Sequence, residues 1–275
     1  MLDMLWLGLI ALPVGFLGSL IGLGGAAMII PLLVLAGVPV KEAIASAMVT
    51  IIATSSGSAS SYVRQRIANI KIAMFLEMFT ITGAIAGAII TTKISPVYLY
   101  FFFAAFLMTS FLKLREPKDG YVTPVKQDRV SRWLELHGSY YDEAHDKLLE
   151  YKVNNALWGG AGMLVAGVAA GMLGIGAGAF KVTVQENVLR MPPKVASTTS
   201  NFIIGMTALA GTSIYLFSGL LNLTLMAPVA VGATIGAIIG GRILNKISNS
   251  VLRVLFLVVV FLMISQMLYK GISAL

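Results

Sequence analysis

Apolar residues fill this chain in long blocks separated by short polar connections, and the spacing of the blocks predicts helices. In the first half they cover roughly 5 to 36, 43 to 62, 72 to 90 and 97 to 112; in the second, roughly 157 to 189, 196 to 216, 224 to 241 and 251 to 268. Several are long enough to cross a hydrocarbon layer about 30 Å thick. The pattern predicts an all-α, polytopic integral membrane protein. The opening MLDMLWLGLIAL carries an acid and no basic lead-in, so it reads as a retained membrane segment and not a cleaved signal.

The two series of blocks are copies of each other. At a shift of 153 positions, 17 of the 63 pairs from Lys41/Lys194 to Phe103/Phe256 are identical without a gap, and GAIAGAIITTKIS from Gly83 lies on GAIIGGRILNKIS from Gly236. Upstream, at a shift of 152, GLGGAAM (Gly22 to Met28) lies on GIGAGAF (Gly174 to Phe180). The chain is a duplication: residues 1–113, a polar linker at 114–154, and residues 155–275.

Each copy opens on a stretch too long for one crossing, since thirty-odd residues make a straight helix of roughly 48 Å. Glycine clusters fall near the middle of both stretches, which predicts that each folds back as a re-entrant helical hairpin and leaves on the side it entered. Loop charge supports this. With single crossings, basic residues divide between the two sides. With hairpins, Arg64, Arg66, Lys71, Arg190, Lys194, Arg242, Lys246, Arg253 and the linker share one face, against Lys41, Lys93 and Lys270. Basic loops mark the cytoplasmic side. The expectation is an inverted repeat of two halves, each a glycine-tipped hairpin plus three transmembrane helices, with the linker inside and both termini outside.

Composition then removes several classes of function. The formal charge of +8 is accounted for by the cytoplasmic loops, so no nucleic-acid partner is expected. With no cysteine, thiolate metal sites, haem attachment and thiol redox chemistry are excluded. GLGG and GIGAG lack the strand and the ribose-binding acid of a dinucleotide fold, and no P-loop for ATP is present. No nucleophile and base stand at matching spacing, so the chain does not read as an enzyme. No cofactor and no metal are expected; the linker cluster Asp142, Glu143, His145, Asp146 reads as a solvated face. The linker segment YYDEAHDKLLEYKV spaces its apolar residues as an amphipathic helix or small cap.

What remains is the chemistry of a small anion. Inverted repeats with interrupted helices are the architecture of secondary transporters, whose substrate sits near mid-membrane. Glycines at a break let the chain reverse and free N–H groups at the start of the returning leg, where the helix dipole favours negative charge. The predicted pocket lies between two tips, Gly22, Gly24, Gly25 and Gly174, Gly176, Gly178. Along the second span of each copy, Ser46, Thr50, Thr54 and Ser58 form a hydroxyl stripe; Thr199, Asn201 and Thr207 stand in the other copy. Thr50, Thr54, Asn201 and Thr207 are the expected ligands among them, the alternative being bonds within the helices. Lys181 lies just past the second tip where the first copy has Ile29, and a lysine at depth is a functional candidate; snorkelling or pairing with Glu186 is its structural alternative. Gln185 shares its face. Glu77 either carries a coupling proton or pairs at the interface with Lys71 or Arg64. Gly83, Gly87, Gly232, Gly236 and Gly240, spaced by four, read as close-packing positions.

GMLGIGAGAFK (Gly171 to Lys181), PPKVASTTSNFIIGMTA (Pro192 to Ala208), GSYYDEA of the linker and the twofold repeat together resemble the TauE/SafE sulfite exporter family of bacterial and archaeal permeases. The resemblance covers nearly the whole chain. It implies a multi-pass protein of the prokaryotic cytoplasmic membrane that moves sulfite or an organosulfonate such as sulfoacetate, in the export direction. By motif it carries over to Gly174, Gly176, Gly178, Lys181, Lys194, Thr199, Ser200 and Asn201. The expected partners are a small anion, protons as a coupling ion, and the lipid bilayer; homo-oligomer formation stays open. The alternatives are a carrier of another small anion or solute and a non-transporting scaffold whose tip region is filled with packed apolar side chains.

Overall fold

A computed structural model describes residues 4–21, 26–64, 67–112, 127–142, 147–243 and 249–274. The first copy holds α1 (Met4–Ile21), α2 (Ala26–Leu35), α3 (Val40–Arg64), α4 (Ile70–Lys93) and α5 (Pro96–Leu112). The second holds α7 (Ala156–Leu173), α8 (Gly178–Asn187), α9 (Pro193–Phe217), α10 (Leu223–Ile243) and α11 (Asn249–Ser273). Every predicted apolar block is helical, and each long block is two helices. Ile70–Lys93, Ala156–Leu173 and Pro193–Phe217 are, among the described residues, long and apolar enough to cross a membrane. The glycines Gly22, Gly24 and Gly25 lie outside the described residues.

Glycines decide which helices touch. At Gly83 an added Cβ would stand 2.2 Å from the Leu164 carbonyl oxygen, and at Gly171 one would stand 2.1 Å from that of Ala84, so α4 and α7 are in backbone contact. Gly236 against Leu12 (1.9 Å) and Gly15 against Ala233 (2.0 Å) bring α1 and α10 together in the same way. These are the same contacts twice: Gly83 and Leu164 become Gly236 and Leu12 at the repeat shifts, and Thr80 beside Gly167 becomes Ala233 beside Gly15. Each copy thus lends the first leg of its long block to the other. Between the two crossings lie the repeat mates α3 and α9, which run antiparallel: Gly205 faces Ser55, and six residues on, Gly211 faces Met48. One apolar core joins α1, α2, α3, α4, α5, α7, α9, α10 and α11.

The linker corrects one expectation. YYDEAHDKLLEYKV does not form a helix: after the short α6 (Arg129–Trp133), β1 (His137–Asp142) pairs antiparallel with β2 (Lys147–Lys152), Tyr140 opposite Leu149; residues 143–146, including Glu143, His145 and Asp146, lie outside the described residues. Its apolar spacing is two and not 3.6, with Tyr140, Tyr151 and Val153 buried and Leu148 exposed. The hairpin is fastened to the start of α4. Asn69 caps that helix by accepting from the Ile72 N–H, and its amide donates to the Tyr151 hydroxyl (2.8 Å) and the His137 carbonyl (3.2 Å). Lys71 pairs with Glu135 at 2.7 Å; that bond and charge hold the Glu135 carboxyl below its ordinary range.

Backbone contact at both crossings leaves no room for a side chain. Gly171→Leu and Gly236→Leu should each lower stability by about 1 to 3 kcal/mol, read as a fall in the thermal midpoint of the detergent-solubilised protein; an unchanged midpoint for either would refute the crossing.

Candidate functional site

The second long block breaks between Leu173 and Gly178. Gly174, Gly176 and Ala177 all take positive φ (63°, 70° and 50°), a region glycine enters freely and alanine at a cost, and the chain reverses there. Its two ends come back together: the Asn154 N–H donates to the Leu189 carbonyl (3.2 Å) and the Asn155 amide to the Val188 carbonyl (3.3 Å). Residues 154 and 189 are therefore neighbours although 34 residues separate them.

A break inside an apolar core must dispose of its backbone groups. The last turn of α7 finds donors for three of its carbonyls. Gly174 N–H donates to Ala170 O (2.9 Å), the Tyr215 hydroxyl of α9 to Gly171 O (2.5 Å), and the Thr91 hydroxyl of α4 to Met172 O (3.0 Å). The amides of the break differ: the N–H groups of Ile175, Gly176 and Ala177 donate to no group among the described residues. The glycine faces themselves pack on Ile44, Ile51 and Ile204, and the Ser200 hydroxyl donates to Gly178 O at 3.4 Å.

One turn further along α8 is Lys181, fully buried. It neither snorkels nor pairs with Glu186, which corrects both structural alternatives. Its ammonium donates to the Thr207 hydroxyl of α9 at 2.8 Å. That hydroxyl lies 3.1 and 3.3 Å from the two carboxylate oxygens of Glu77 on α4, and 2.8 Å from its own Ile203 carbonyl. Thr80 also donates to Glu77, at 2.9 Å. Glu77 is 2 % exposed, so the expected interfacial pairing is overturned: Lys71 is taken by Glu135 instead. Three helices thus bring a cation, a hydroxyl and a carboxylate together away from solvent, where an unpaired charge costs several kcal/mol. Gln185, one turn beyond Lys181, is fully buried and neither atom of its amide has a partner among the described residues.

The remaining expected ligands lie apart from this cluster. Thr50 donates to Ser46 O (3.1 Å) and Thr54 to Thr50 O (3.0 Å), both within α3. Asn201 donates to Ser197 O (3.3 Å) within α9, and Thr199 accepts from the Asn69 N–H (3.2 Å) near the linker. Sequence reasoning missed Thr80, although its place three residues after Glu77 puts both on one helical face, and Asn69, whose signal is an asparagine directly before an apolar run.

The copies are unequal here. Lys181, Glu77 and Thr80 correspond to Ile29, Ala230 and Ala233 in the other half, while Thr207 keeps a threonine, Thr54. Around Ile29 lies a small apolar cavity, lined also by Leu32, Leu33 and Val229.

Long apolar helices in two exchanged copies, enclosing a charge cluster that water does not reach, define an integral membrane protein with a built polar centre. The chain belongs to the TauE/SafE family: the family described as Sulfite exporter TauE/SafE matches residues 7–267. It is similar to the Probable membrane transporter protein YunE of Bacillus subtilis (strain 168), at 26% identity over 275 residues that cover 97% of this chain and 96% of that protein. No solved structure matches it. The protein is a membrane transporter.

Breaking a buried charge pair from one side leaves the other charge stranded. Lys181→Met and Glu77→Gln should each destabilise the detergent-solubilised protein, Lys181→Met by about 3 kcal/mol. The double variant should lose clearly less than the sum. Strict additivity in thermal or denaturant unfolding would show that the two residues do not interact.

Proposed function

We propose that the protein is a secondary transporter that carries a small sulfur-containing anion, sulfite or an organosulfonate such as sulfoacetate, outward across the cytoplasmic membrane by alternating access. The observation that carries this reading is the break at residues 174–177: Tyr215 and Thr91 cap carbonyls of the last turn of α7 before it, the amides of residues 175–177 have no acceptor among the described residues, and a buried lysine stands one turn away. Free amides and an ammonium together favour an oxyanion and disfavour a cation. The Gln185 amide adds donors on the same face of α8. The family name and the printed name of the B. subtilis relative agree with transport, and the sulfur anion comes from the family description.

The apolar packing of Ile44, Ile51 and Ile204 against the glycines is what a scaffold would also have. A scaffold gives no reason to bury Lys181 and Glu77. The anion therefore binds at the Lys181 side of the second tip, more than midway between two equal tips, because the first copy offers Ile29 in that place.

The antiparallel run of α3 and α9, and the return of residue 189 to residue 154, support an inverted repeat built on re-entrant hairpins. Asn69 at the start of α4 bonds to both the linker and the second turn of α9, which supports a common side for Lys71, Arg190, Lys194 and the linker. That side is the cytoplasm by the distribution of basic residues.

In proteoliposomes the purified chain should move sulfite and sulfoacetate saturably and sulfate poorly, and Lys181→Met should cut the rate at least about tenfold, the loss of one charge-assisted hydrogen bond. Absence of anion movement under every imposed gradient would refute the proposal. Because the chain has no cysteine, topology is testable with single replacements. An impermeant maleimide should label Ser273→Cys in intact cells and Ser139→Cys only after lysis; the reverse pattern would invert the orientation.

A further inference from the structure

We propose that Glu77 is the built-in counter-anion of Lys181 and the proton carrier of the transport cycle. An entering anion takes the carboxylate's place at the Lys181 and Thr207 groups, and the displaced Glu77 carboxylate takes up one proton, so that each anion travels with one proton. This rests on the reading of the second tip as the anion site.

The geometry of Thr207 carries the argument. Its oxygen accepts from Lys181 (2.8 Å), yet it has one proton to donate and two acceptors within reach, the Glu77 carboxylate (3.1 and 3.3 Å) and Ile203 O (2.8 Å). With Glu77 ionised, the hydroxyl can serve the carboxylate and the three groups form a neutral, closed set. With Glu77 protonated, the carboxyl no longer holds the hydroxyl proton, so the Thr207 O–H and the Lys181 ammonium can both donate to another anion. Thr80 sits at 2.9 Å from Glu77 on the same helix and stays beside it in either state.

Charge balance supplies the direction. Lys181 and Glu77 cancel one another inside a core from which both are shielded. An added anion makes this interior net negative, and burying an uncompensated charge is strongly unfavourable. Protonation of Glu77 restores neutrality for a monovalent anion and halves the excess charge of a dianion such as sulfoacetate; the proton comes from the water on the side from which the anion enters and leaves with the anion on the other side. Among the described residues no other charged group is placed to take this role. Among the described residues, α7 has no ionisable side chain. On α9 the ionisable residues are Lys194 in the first turn and Tyr215, whose hydroxyl donates to Gly171 O. On α3 Lys41, Glu42, Tyr62 and Arg64 stand in the terminal turns, and on α8 Glu186 lies five residues from Lys181, on a different face. The group that faces Glu77 electrostatically is Lys181.

The unequal copies agree with one such centre per chain. Where the duplication could have kept two charged sites, the other half has Ile29 and Ala230, with the threonine alone retained as Thr54. A single exchanging carboxylate gives a fixed ratio of protons to anions.

The test uses the full chain in proteoliposomes that contain a pH-reporting dye, with radiolabelled sulfoacetate, which is ionised throughout the neutral range and carries no proton of its own. The wild type should acidify the lumen as sulfoacetate enters, at one proton per anion, and Glu77→Gln should bring that ratio to zero. Infrared difference spectra of the wild type should show a protonated carboxyl stretch appearing when sulfoacetate binds, a readout that needs no variant to fold. Sulfoacetate entry without acidification, a ratio of one retained in Glu77→Gln, or binding without the carboxyl band would each overturn the inference while leaving transport itself intact. If no sulfoacetate moves or binds in the wild type, the anion-site reading fails and this inference falls with it.

Discussion

A lysine ammonium and a glutamate carboxylate, held apart from water and joined through one threonine hydroxyl, form the constraint on which the rest of this structure turns. Neither charge is tolerable alone at that depth. Lys181 has to be delivered by α8, Thr207 by α9 and Glu77 by α4, so the positions of three helices are fixed by one contact set of 2.8 to 3.3 Å. Delivering Lys181 from a helix that starts in the interior requires the break at 174–177, and the break in turn requires Tyr215 and Thr91 to cap the carbonyls it exposes. The glycine crossings then bring α4 and α7 into backbone contact at the same place.

Duplication explains how such an arrangement is built cheaply from one unit. Each copy lends its leading helix to the other, and the same glycine, carbonyl and amide contacts recur at both crossings. Polarity was then divided between copies. One half carries Lys181, Glu77 and Thr80 in a satisfied polar cluster, whereas the equivalent place in the other carries Ile29, Ala230 and Ala233 beside an apolar cavity. The linker hairpin, tied by Asn69 to α4 and by the same residue's N–H to α9, sits over the ends of two of the three helices that meet at the charge cluster.

Much of this was legible in the residues. The eight apolar blocks, the interruption of the second long block at its glycines and the placing of a lysine at depth follow from length, repeat alignment and the cost of charge in lipid. Other features were not legible, for identifiable reasons. The apolar residues of YYDEAHDKLLEYKV fit an amphipathic helix or a small cap, whereas the observed pairing of β1 with β2 goes with the burial of Tyr140, Tyr151 and Val153. For Glu77 the sequence offers a coupling proton or interfacial pairing with the nearby Lys71 or Arg64; its Thr207 partner is 130 residues away, and no periodicity reports that distance. For Thr50 and Thr54 on α3 the alternative of bonds within the helix is the one observed, since each donates to the carbonyl four residues back. Gly22, Gly24 and Gly25 fall outside the described residues, so the weight of the site rests on the second tip.

The central claim is that the amides of the second break and the Lys181 ammonium together hold an oxyanion. Anomalous diffraction from crystals of the full chain grown with selenite, the selenium counterpart of sulfite, tests it most directly. The account predicts one selenium peak within hydrogen-bond reach of Lys181 Nζ and of the amides at residues 175–178, with the Glu77 carboxylate moved off Thr207. A selenium peak beside Ile29, or on the linker, with Lys181 still joined to Glu77 through Thr207, would contradict it.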